Sequence, residues 1–233
     1  MDMESAAVLA NADTLGGYPA SDYAFVEDLK NLKPEDIGAA PAGFGLGNDN
    51  SRFISESEDL DFYRSNGFYS WAVAPKNSPG FDNGIMIIAS YDWARKVQFV
   101  WSTGDPRGCM VQRVQYANIW GEWEYVNPSL LNGVEYRTTE RWNGKPVYAQ
   151  TIGLGEMPNS SDKQINHNIA NIEHIVEARG SSSRGYFFPL DWSDPSVGKV
   201  SLYVNAKNII IECETDWTGY SCDVIMKYTK TTD

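Results

Sequence analysis

The sequence has few of the residue types on which catalysis and metal binding most often depend. It contains two histidines and three cysteines among 233 residues. The cysteines, Cys109, Cys213 and Cys222, are an odd number without a Cys-x-x-Cys pair, so zinc-ligand spacing is absent. Cys213 and Cys222 are placed to face each other across a hairpin, but we interpret all three as buried free thiols.

The two histidines, His167 and His174, lack the partners that nucleophilic catalysis needs. The sequence contains no Gly-x-Ser-x-Gly elbow and no His-Glu-x-x-His motif. We expect His167 to have a structural role in a turn before a strand, and His174 to lie in a sheet face. The sequence therefore predicts a protein that is not an enzyme and that uses no cofactor and no metal.

Two groups of carboxylates could support catalysis or metal binding instead. Glu122 and Glu124 are two apart in a predicted strand and would share a face, as a glycoside hydrolase pair would, but a solvated sheet surface fits them equally well. Glu56, Glu58, Asp59 and Asp61 offer oxygens of the kind that calcium binds. Because no EF-hand register is present, we interpret this cluster as a solvated charged turn.

Positive charge is also scarce. The chain has 19 Lys and Arg against 31 Asp and Glu, for a net charge of −12. Nucleic acids and anionic membranes attract proteins with a basic face, so we expect neither as a partner. No apolar run approaches the roughly 20 residues of a transmembrane helix, so no membrane insertion is expected. Residues 1–4 lack the basic start of a signal peptide, which predicts synthesis in the cytoplasm and exit in an assembled particle or by lysis.

Helical periodicity is almost absent, and short strands at close spacing predict a mainly β protein that ends in a β-sandwich. Aromatic residues make up 13% of the chain, which suits either a sheet core or a recognition surface. In the last strand, Cys222, Val224, Met226 and Tyr228 alternate. The other predicted strands cover residues 67–73, 84–90, 97–102, 110–115, 145–152, 171–179, 200–204 and 209–213.

The composition divides the chain into three parts. Residues 1–50 are rich in Gly, Pro and Ala, which prevents long helices or strands, although residues 21–32 are predicted to form a short helix before Pro34. This part is predicted to be a linker, because alone it cannot bury enough apolar surface to fold. Residues 51–132 (the knob segment) and residues 133–233 (the tip segment) are predicted to be separate β domains.

Several motifs along these three parts resemble those of bacteriophage tail-fibre and receptor-binding proteins. Residues 12–47 resemble shaft elements in which three chains wind together. The knob segment resembles the pyocin-knob domain at Gly67, Tyr69, Asn77, Pro79, Gln98, Arg113, Trp120 and Trp123. The tip segment resembles a C-terminal domain of virion structural proteins, and the matching residues are Trp142, Gly144, Lys145, Pro146, Tyr148, Gly155, Pro158, Asn159, Lys163, His167, Ile169, Asn171, Ile172 and the closing 228–233.

The resemblance implies a homotrimeric fibre with a shaft, a knob-like domain and a β-sandwich tip. It implies that the protein is part of a virion and attaches a phage, or a phage-like particle, to a bacterial surface polysaccharide or teichoic acid. Other tail or head proteins would bind its N-terminus. Two alternatives stay open: a head fibre or other structural appendage without a defined receptor, and a tip depolymerase.

Two loops of the tip segment combine aromatic rings with polar side chains, as carbohydrate sites do. The first holds Arg184, Tyr186, Trp192 and Asp194, beside Phe187, Phe188 and Asp191. The second holds Asp216, Trp217 and Tyr220, in what the sequence suggests is an exposed loop. The alternative for the aromatic residues of the first loop is packing in the core or in a trimer interface.

Overall fold

The computed structural model describes residues 51–104, 108–189 and 197–232, together with two short strands near the start of the chain. The chain divides into two units, Met1–Arg52 and Phe53–Asp233. In the first unit, β1 (Thr14–Leu15) pairs antiparallel with β2 (Tyr18–Pro19). The predicted helix at 21–32 and the rest of the shaft motifs lie outside the described residues.

The second unit is built from strands, and the described residues contain no α-helix. One turn of 3-10 helix, Leu60–Phe62, is capped by the Asp59 carboxylate, which accepts from the backbone N–H of Asp61. The mainly β fold class predicted from the sequence is confirmed. The strands are β3 (Arg52–Phe53), β4 (Gly67–Trp71), β5 (Gly84–Ser90), β6 (Lys96–Ser102), β7 (Met110–Tyr116), β8 (Ile119–Trp120), β9 (Glu124–Tyr125), β10 (Glu135–Trp142), β11 (Lys145–Glu156), β12 (Asp162–Asn166), β13 (Ile172–Ser182), β14 (Phe187–Phe188), β15 (Val200–Val204), β16 (Asn208–Cys213) and β17 (Ser221–Lys230).

One long sheet runs through both the knob and tip segments. Among the described residues its order is β14-β13-β17-β11-β10-β9-β7-β6-β5-β4-β3, with β8 paired to β7 beside this path. The short strand β9 makes the connection, because it pairs antiparallel with β7 and parallel with β10. No helix of the described part is long and apolar enough to cross a membrane.

The knob segment packs one face of its antiparallel strands into a hydrophobic core. Alternate residues of β4, β5, β6 and β7 point inward, as the two-residue period of a strand requires. The strand β5 is therefore buried on one face, although its sequence shows little alternation. The buried members are Ile54, Leu60, Tyr63, Tyr69, Trp71, Met86, Ile88, Val100 and Val111.

The tip segment forms a second core between two layers. The long sheet contributes Ile152, Leu154, Val224, Met226 and Tyr228, and the three-stranded sheet β12-β16-β15 covers them. Val200, Ile209, Ile211 and Cys213 face inward from that smaller sheet. The predicted alternation of the last strand is confirmed, because Cys222, Val224, Met226 and Tyr228 are all buried in β17. The two cores lie on either side of residue 132, but the sheet continues across it, so the domain boundary stays a prediction.

The three cysteines are free and buried, as the sequence analysis expected. Burial raises the pKa of Cys213 to about 11 and that of Cys222 to about 12. Both thiols are therefore protonated and unreactive at neutral pH, and they act as small apolar side chains of the core.

Candidate functional site

Five of the eight knob motif residues meet in one place, around Arg113 of β7. The Arg113 guanidinium carbon lies 4.5 Å from the ring centroid of Trp120 and 4.4 Å from that of Trp123. Its Nε donates to Gln98 Oε1 at 2.8 Å, and its terminal nitrogen lies 2.7 Å from Asp61 Oδ1. Only 5% of this side chain is exposed. Burial lowers the pKa of Arg113, and the charge of Asp61 opposes that shift.

Asn77 extends this cluster to the loop between β4 and β5. Its carbonyl oxygen accepts from Trp123 Nε1 at 3.0 Å, and its side-chain amide donates to the carboxylates of Asp59 and Asp61. The described residues contain no group of His, Cys, Asp and Glu that is arranged to hold a metal. These motif residues are therefore engaged in holding the knob segment together.

The other predicted structural residues have similar roles. His167 is buried; its Nε2–H donates to the Asn205 carbonyl at 3.1 Å, and its Nδ1 accepts from the Ile169 backbone at 3.1 Å. Both ring nitrogens bond to backbone, which is the structural role expected for His167. The expectation that Glu122 and Glu124 share a solvated sheet face is wrong. Glu124 is buried and forms ion pairs with Arg137 and Arg141, whereas Glu122 is exposed and lies outside β9.

Three of the candidate ligand residues, all aromatic, come together around Arg184. The Arg184 guanidinium carbon lies 4.8 Å from the Trp217 ring, 5.2 Å from Tyr220 and 5.8 Å from Tyr186. Arg184, Tyr186 and Tyr220 are each partly exposed. We call these three residues the Arg184 surface. The described residues include no carboxylate in an ion pair with Arg184.

Trp217 does not lie on this surface but beneath it. Its side chain is 0% exposed, and its Nε1 donates to the Val197 carbonyl at 3.1 Å. Its ring packs edge-to-face against Tyr186 and Phe188, with centroids 5.7 and 5.6 Å away. The expectation that Trp217 is an exposed loop aromatic is therefore wrong. Tyr220 is a third aromatic neighbour, at 6.1 Å, and burial of the indole among these rings stabilises the fold. The residues next to Trp217 in the sequence do not indicate this packing.

Backbone hydrogen bonds hold the two loops of the Arg184 surface together. Arg184 lies in the turn between β13 and β14, where Gly185 has a φ of 92°. The N–H of Ser183 donates to the Ser221 carbonyl at 2.9 Å, and the N–H of Ser221 donates to Ser183 Oγ at 3.0 Å. Tyr220 is fixed by its carbonyl, which accepts from the Met157 N–H. The surface is therefore preorganised by its scaffold.

The remaining candidates have mixed placements. Asp216 is exposed, and Thr218 donates to its Oδ1 through both backbone and hydroxyl, which lowers the pKa of Asp216. Phe188 is buried in the core, in keeping with the packing alternative, whereas Phe187 is exposed beneath the Arg179 guanidinium at 4.1 Å. Trp192 and Asp194, with Asp191, lie outside the described residues.

The knob segment has an apolar outer face that was not predicted from the sequence. The residues of β5, β6 and β7 that point away from the knob core are at least partly exposed, and none of them is charged. They are Ile85, Ile87, Ala89, Val97, Phe99, Trp101, Met110, Gln112, Val114 and Tyr116. We call this set the outer face. An antiparallel sheet with one solvated side normally carries polar residues there, so an apolar outer face is unusual for a surface exposed to water.

Comparison with known proteins gives three weakly similar solved structures. No protein-family model and no curated protein matches the chain. The chain is similar to an N-truncated R2-type pyocin tail fibre, with a TM-score of 0.31, 10% identity and coverage of 78% of this chain and 99% of that one. It is also similar to residues 323–701 of an R1 pyocin fibre of P. aeruginosa, with a TM-score of 0.31, 13% identity and coverage of 82% and 70%.

The third structure is residues 323–691 of an R2 pyocin fibre of P. aeruginosa, with a TM-score of 0.31, 10% identity and coverage of 79% and 68%. All three are pyocin fibres. A TM-score of 0.31 is too low for these structures to indicate the ligand or the assembly of this chain.

Proposed function

We propose that this chain is a fibre protein that attaches a phage or phage-like particle to a bacterial surface glycan through the Arg184 surface. The observation that carries the proposal is the placement of Arg184 beside two partly exposed rings, those of Tyr220 and Tyr186. The tail-fibre motifs of the sequence support it independently. Aromatic rings bind the C–H faces of sugars, and arginine donors bind hydroxyl, carboxylate or phosphate oxygens.

The charges around the surface favour a glycan with acidic groups. Among the described residues no carboxylate pairs with Arg184, and guanidinium donors suit the oxygens of a uronic acid or a teichoic acid phosphate. Asp216, on the same loop as Tyr220, accepts from Thr218 and adds a second polar group that accepts from sugar hydroxyls. The hydrogen bonds between Ser183 and Ser221 hold Arg184 near Tyr220 and so reduce the entropy that binding must overcome.

The proposal includes a homotrimer joined through the outer face. A chain with a net charge of −12 repels its own copies, and an uncharged apolar surface reduces that repulsion where copies meet. Three weak glycan sites on one fibre would then bind a polymer together. Linking the sites raises the overall affinity above that of a single site without any new contact at each one. Sedimentation analysis tests this: Val114→Asp should give monomers, whereas Tyr203→Asp, on an exposed residue outside the outer face, should leave trimers. A wild-type monomer at micromolar concentration would contradict it.

Binding of labelled protein to a panel of bacterial strains tests the glycan proposal. We expect binding to some strains and strong loss of it in Arg184→Ala and Tyr220→Ala. Arg95→Ala is the matched control, because Arg95 also stacks on a tyrosine, Tyr91, at 4.5 Å. Equal loss in the control, or no loss in either site variant, would reject the Arg184 surface. Release of oligosaccharides from envelope polysaccharide would contradict a role in binding alone.

A further inference from the structure

A cavity lies in the tip segment, away from the loops of the Arg184 surface. It has a volume of about 350 Å³ and lies where the β10–β11 hairpin tip meets β13. We call it the tip cavity, and its lining residues are Trp142, Asn143, Lys145, Glu173, His174 and Thr229. The Trp142 and His174 rings are stacked, with centroids 5.3 Å apart and planes 13° apart.

The backbone around the tip cavity is irregular in both strands that form it. Asn143 and Gly144 make the hairpin turn with φ values of 49° and 81°, as a tight two-residue turn requires. The pairing register of β10 shifts between Arg137 and Arg141. That of β13 shifts between Ile172 and His174. A β-bulge changes the direction in which nearby side chains point. The irregularities in β10 and β13 bring Trp142 and His174 together, although β11 and β17 lie between these two strands in the sheet.

Trp142 does not contribute to either hydrophobic core. Its side chain is 42% exposed, and it is absent from the buried cluster of the tip segment. A large indole that stays in water forgoes the stabilisation that burial would give. The stack with His174 fixes its orientation, and each ring of the stack has a face that is not covered by the other.

The charged residues of the tip cavity are already paired with each other. The Lys145 ammonium and the Glu173 carboxylate form a hydrogen-bonded ion pair, with 43% and 39% of their side chains exposed. An anionic ligand would meet Glu173, and a cationic ligand would meet Lys145. A neutral ligand with several hydroxyls is repelled by neither charge. Its hydroxyls can accept from Lys145 and from the Asn143 amide and can donate to Glu173.

We propose that the tip cavity binds one neutral hexopyranose unit, with its C–H face on the stacked Trp142–His174 pair and its hydroxyls on Asn143, Lys145 and Glu173. The proposal deepens the glycan-binding function and rests on it for the choice of a saccharide as ligand. Its chemistry differs from that of the Arg184 surface, where a guanidinium that pairs with no described carboxylate favours acidic groups. A polymer with neutral and acidic sugars would use both sites.

Indole N–H signals in ¹H–¹⁵N spectra provide the test, with methyl glycosides of glucose, galactose, mannose and N-acetylglucosamine as probes. Trp142→Phe assigns the Trp142 signal. We expect at least one neutral glycoside to shift the Trp142 signal saturably, with a Kd on the order of 1 mM. The signal of Trp93, a second exposed tryptophan that lines no part of this cavity, should not move.

Variants and a charged probe complete the experiment. Glu173→Gln should weaken binding several-fold, whereas glucuronate should bind more weakly than the neutral glycosides. No shift of Trp142 with any probe, an equal shift of Trp93, or tighter binding of glucuronate would overturn the proposal. Arg184→Ala should leave the Trp142 shift unchanged, so failure at the tip cavity and failure of cell binding through the Arg184 surface are separate outcomes.

Discussion

Arg113 and Gln98 are directly opposed across β7 and β6, and the Arg113 Nε donates to Gln98 Oε1 at 2.8 Å. Gln98 is fully buried, and its amide in turn donates to the carbonyls of Leu60 and Tyr63. The pair therefore connects the sheet of the knob segment to the chain that precedes β4. A buried polar pair of this kind is costly to leave half satisfied.

Arg113→Ala should lower the free energy of unfolding by about 3 kcal/mol, because it leaves Gln98 Oε1 without its donor and removes the charge between Trp120 and Trp123. Urea unfolding followed by tryptophan fluorescence measures this. Arg95→Ala, which removes a solvent-exposed arginine paired with Asp92, is the matched control and should change stability little. Equal effects of the two substitutions would show that the Arg113 cluster contributes no more than a surface pair.

Gly84→Ala should destabilise the knob segment by about 1–3 kcal/mol, because overpacking a filled core costs energy. A Cβ at residue 84 would lie 2.2 Å from the Trp71 ring, whose Nε1 donates to the Phe81 carbonyl at 2.8 Å. Gly121→Ala is the control, because a Cβ there meets only the Val114 carbonyl oxygen at 3.4 Å. Thermal unfolding should separate the two, and a Gly84→Ala protein as stable as wild type would contradict the packing described for Trp71.

Trp217→Ala should unfold the tip segment rather than remove a ligand contact. Truncation of a fully buried tryptophan to alanine lowers the free energy of unfolding by about 3–5 kcal/mol. Trp217→Phe keeps most of the ring and should cost less. Circular dichroism and glycan binding measured on both variants check this. A folded Trp217→Ala protein that has lost only its binding would show that the indole contacts the ligand.

Stability should fall as the pH rises above about 9. Burial raises the pKa of Cys213 to about 11 and of Cys222 to about 12, from an ordinary value of 9.0, so the unfolded chain ionises first. Burial also raises the pKa of Tyr228, and its hydroxyl donates to Glu135. The contribution of each group is complete below its unfolded pKa and is lost as the pH approaches its folded pKa.

Urea unfolding from pH 7.5 to 10.5 measures this loss. Cys222→Ala should reduce the slope of stability against pH, because one of the titrating groups has been removed. A free energy of unfolding that stays constant over this range in the wild-type protein would contradict the burial of these groups.

The sequence predicts the strands of this protein well where one face is buried. The alternation of Cys222, Val224, Met226 and Tyr228 identifies β17, and the turn between β15 and β16 separates two apolar runs. The knob motif also names residues that meet, since Asn77, Gln98, Arg113, Trp120 and Trp123 form one cluster.

Side-chain exposure in loops is not predicted by the sequence. Trp217 has polar neighbours on both sides in the chain, yet it is buried by Phe188 and Tyr186 from a distant hairpin. Trp142 and His174 meet only because of the register shifts in β10 and β13, which no sequence period encodes. The candidate ligand site therefore stays a prediction: the structure brings Arg184 and Tyr220 close together, but it buries the Trp217 ring that the sequence placed on the surface.

The most direct test of the central claim is a titration of purified envelope polysaccharide, from a strain that the protein binds, into wild-type protein and into Arg184→Ala. Calorimetry measures the affinity of each, and Arg95→Ala serves as the reference. The wild-type protein and the reference should bind alike, and Arg184→Ala should bind at least about tenfold more weakly, a difference of about 1.4 kcal/mol. Equal affinity of all three proteins, or no binding by the wild type, would contradict glycan attachment through the Arg184 surface.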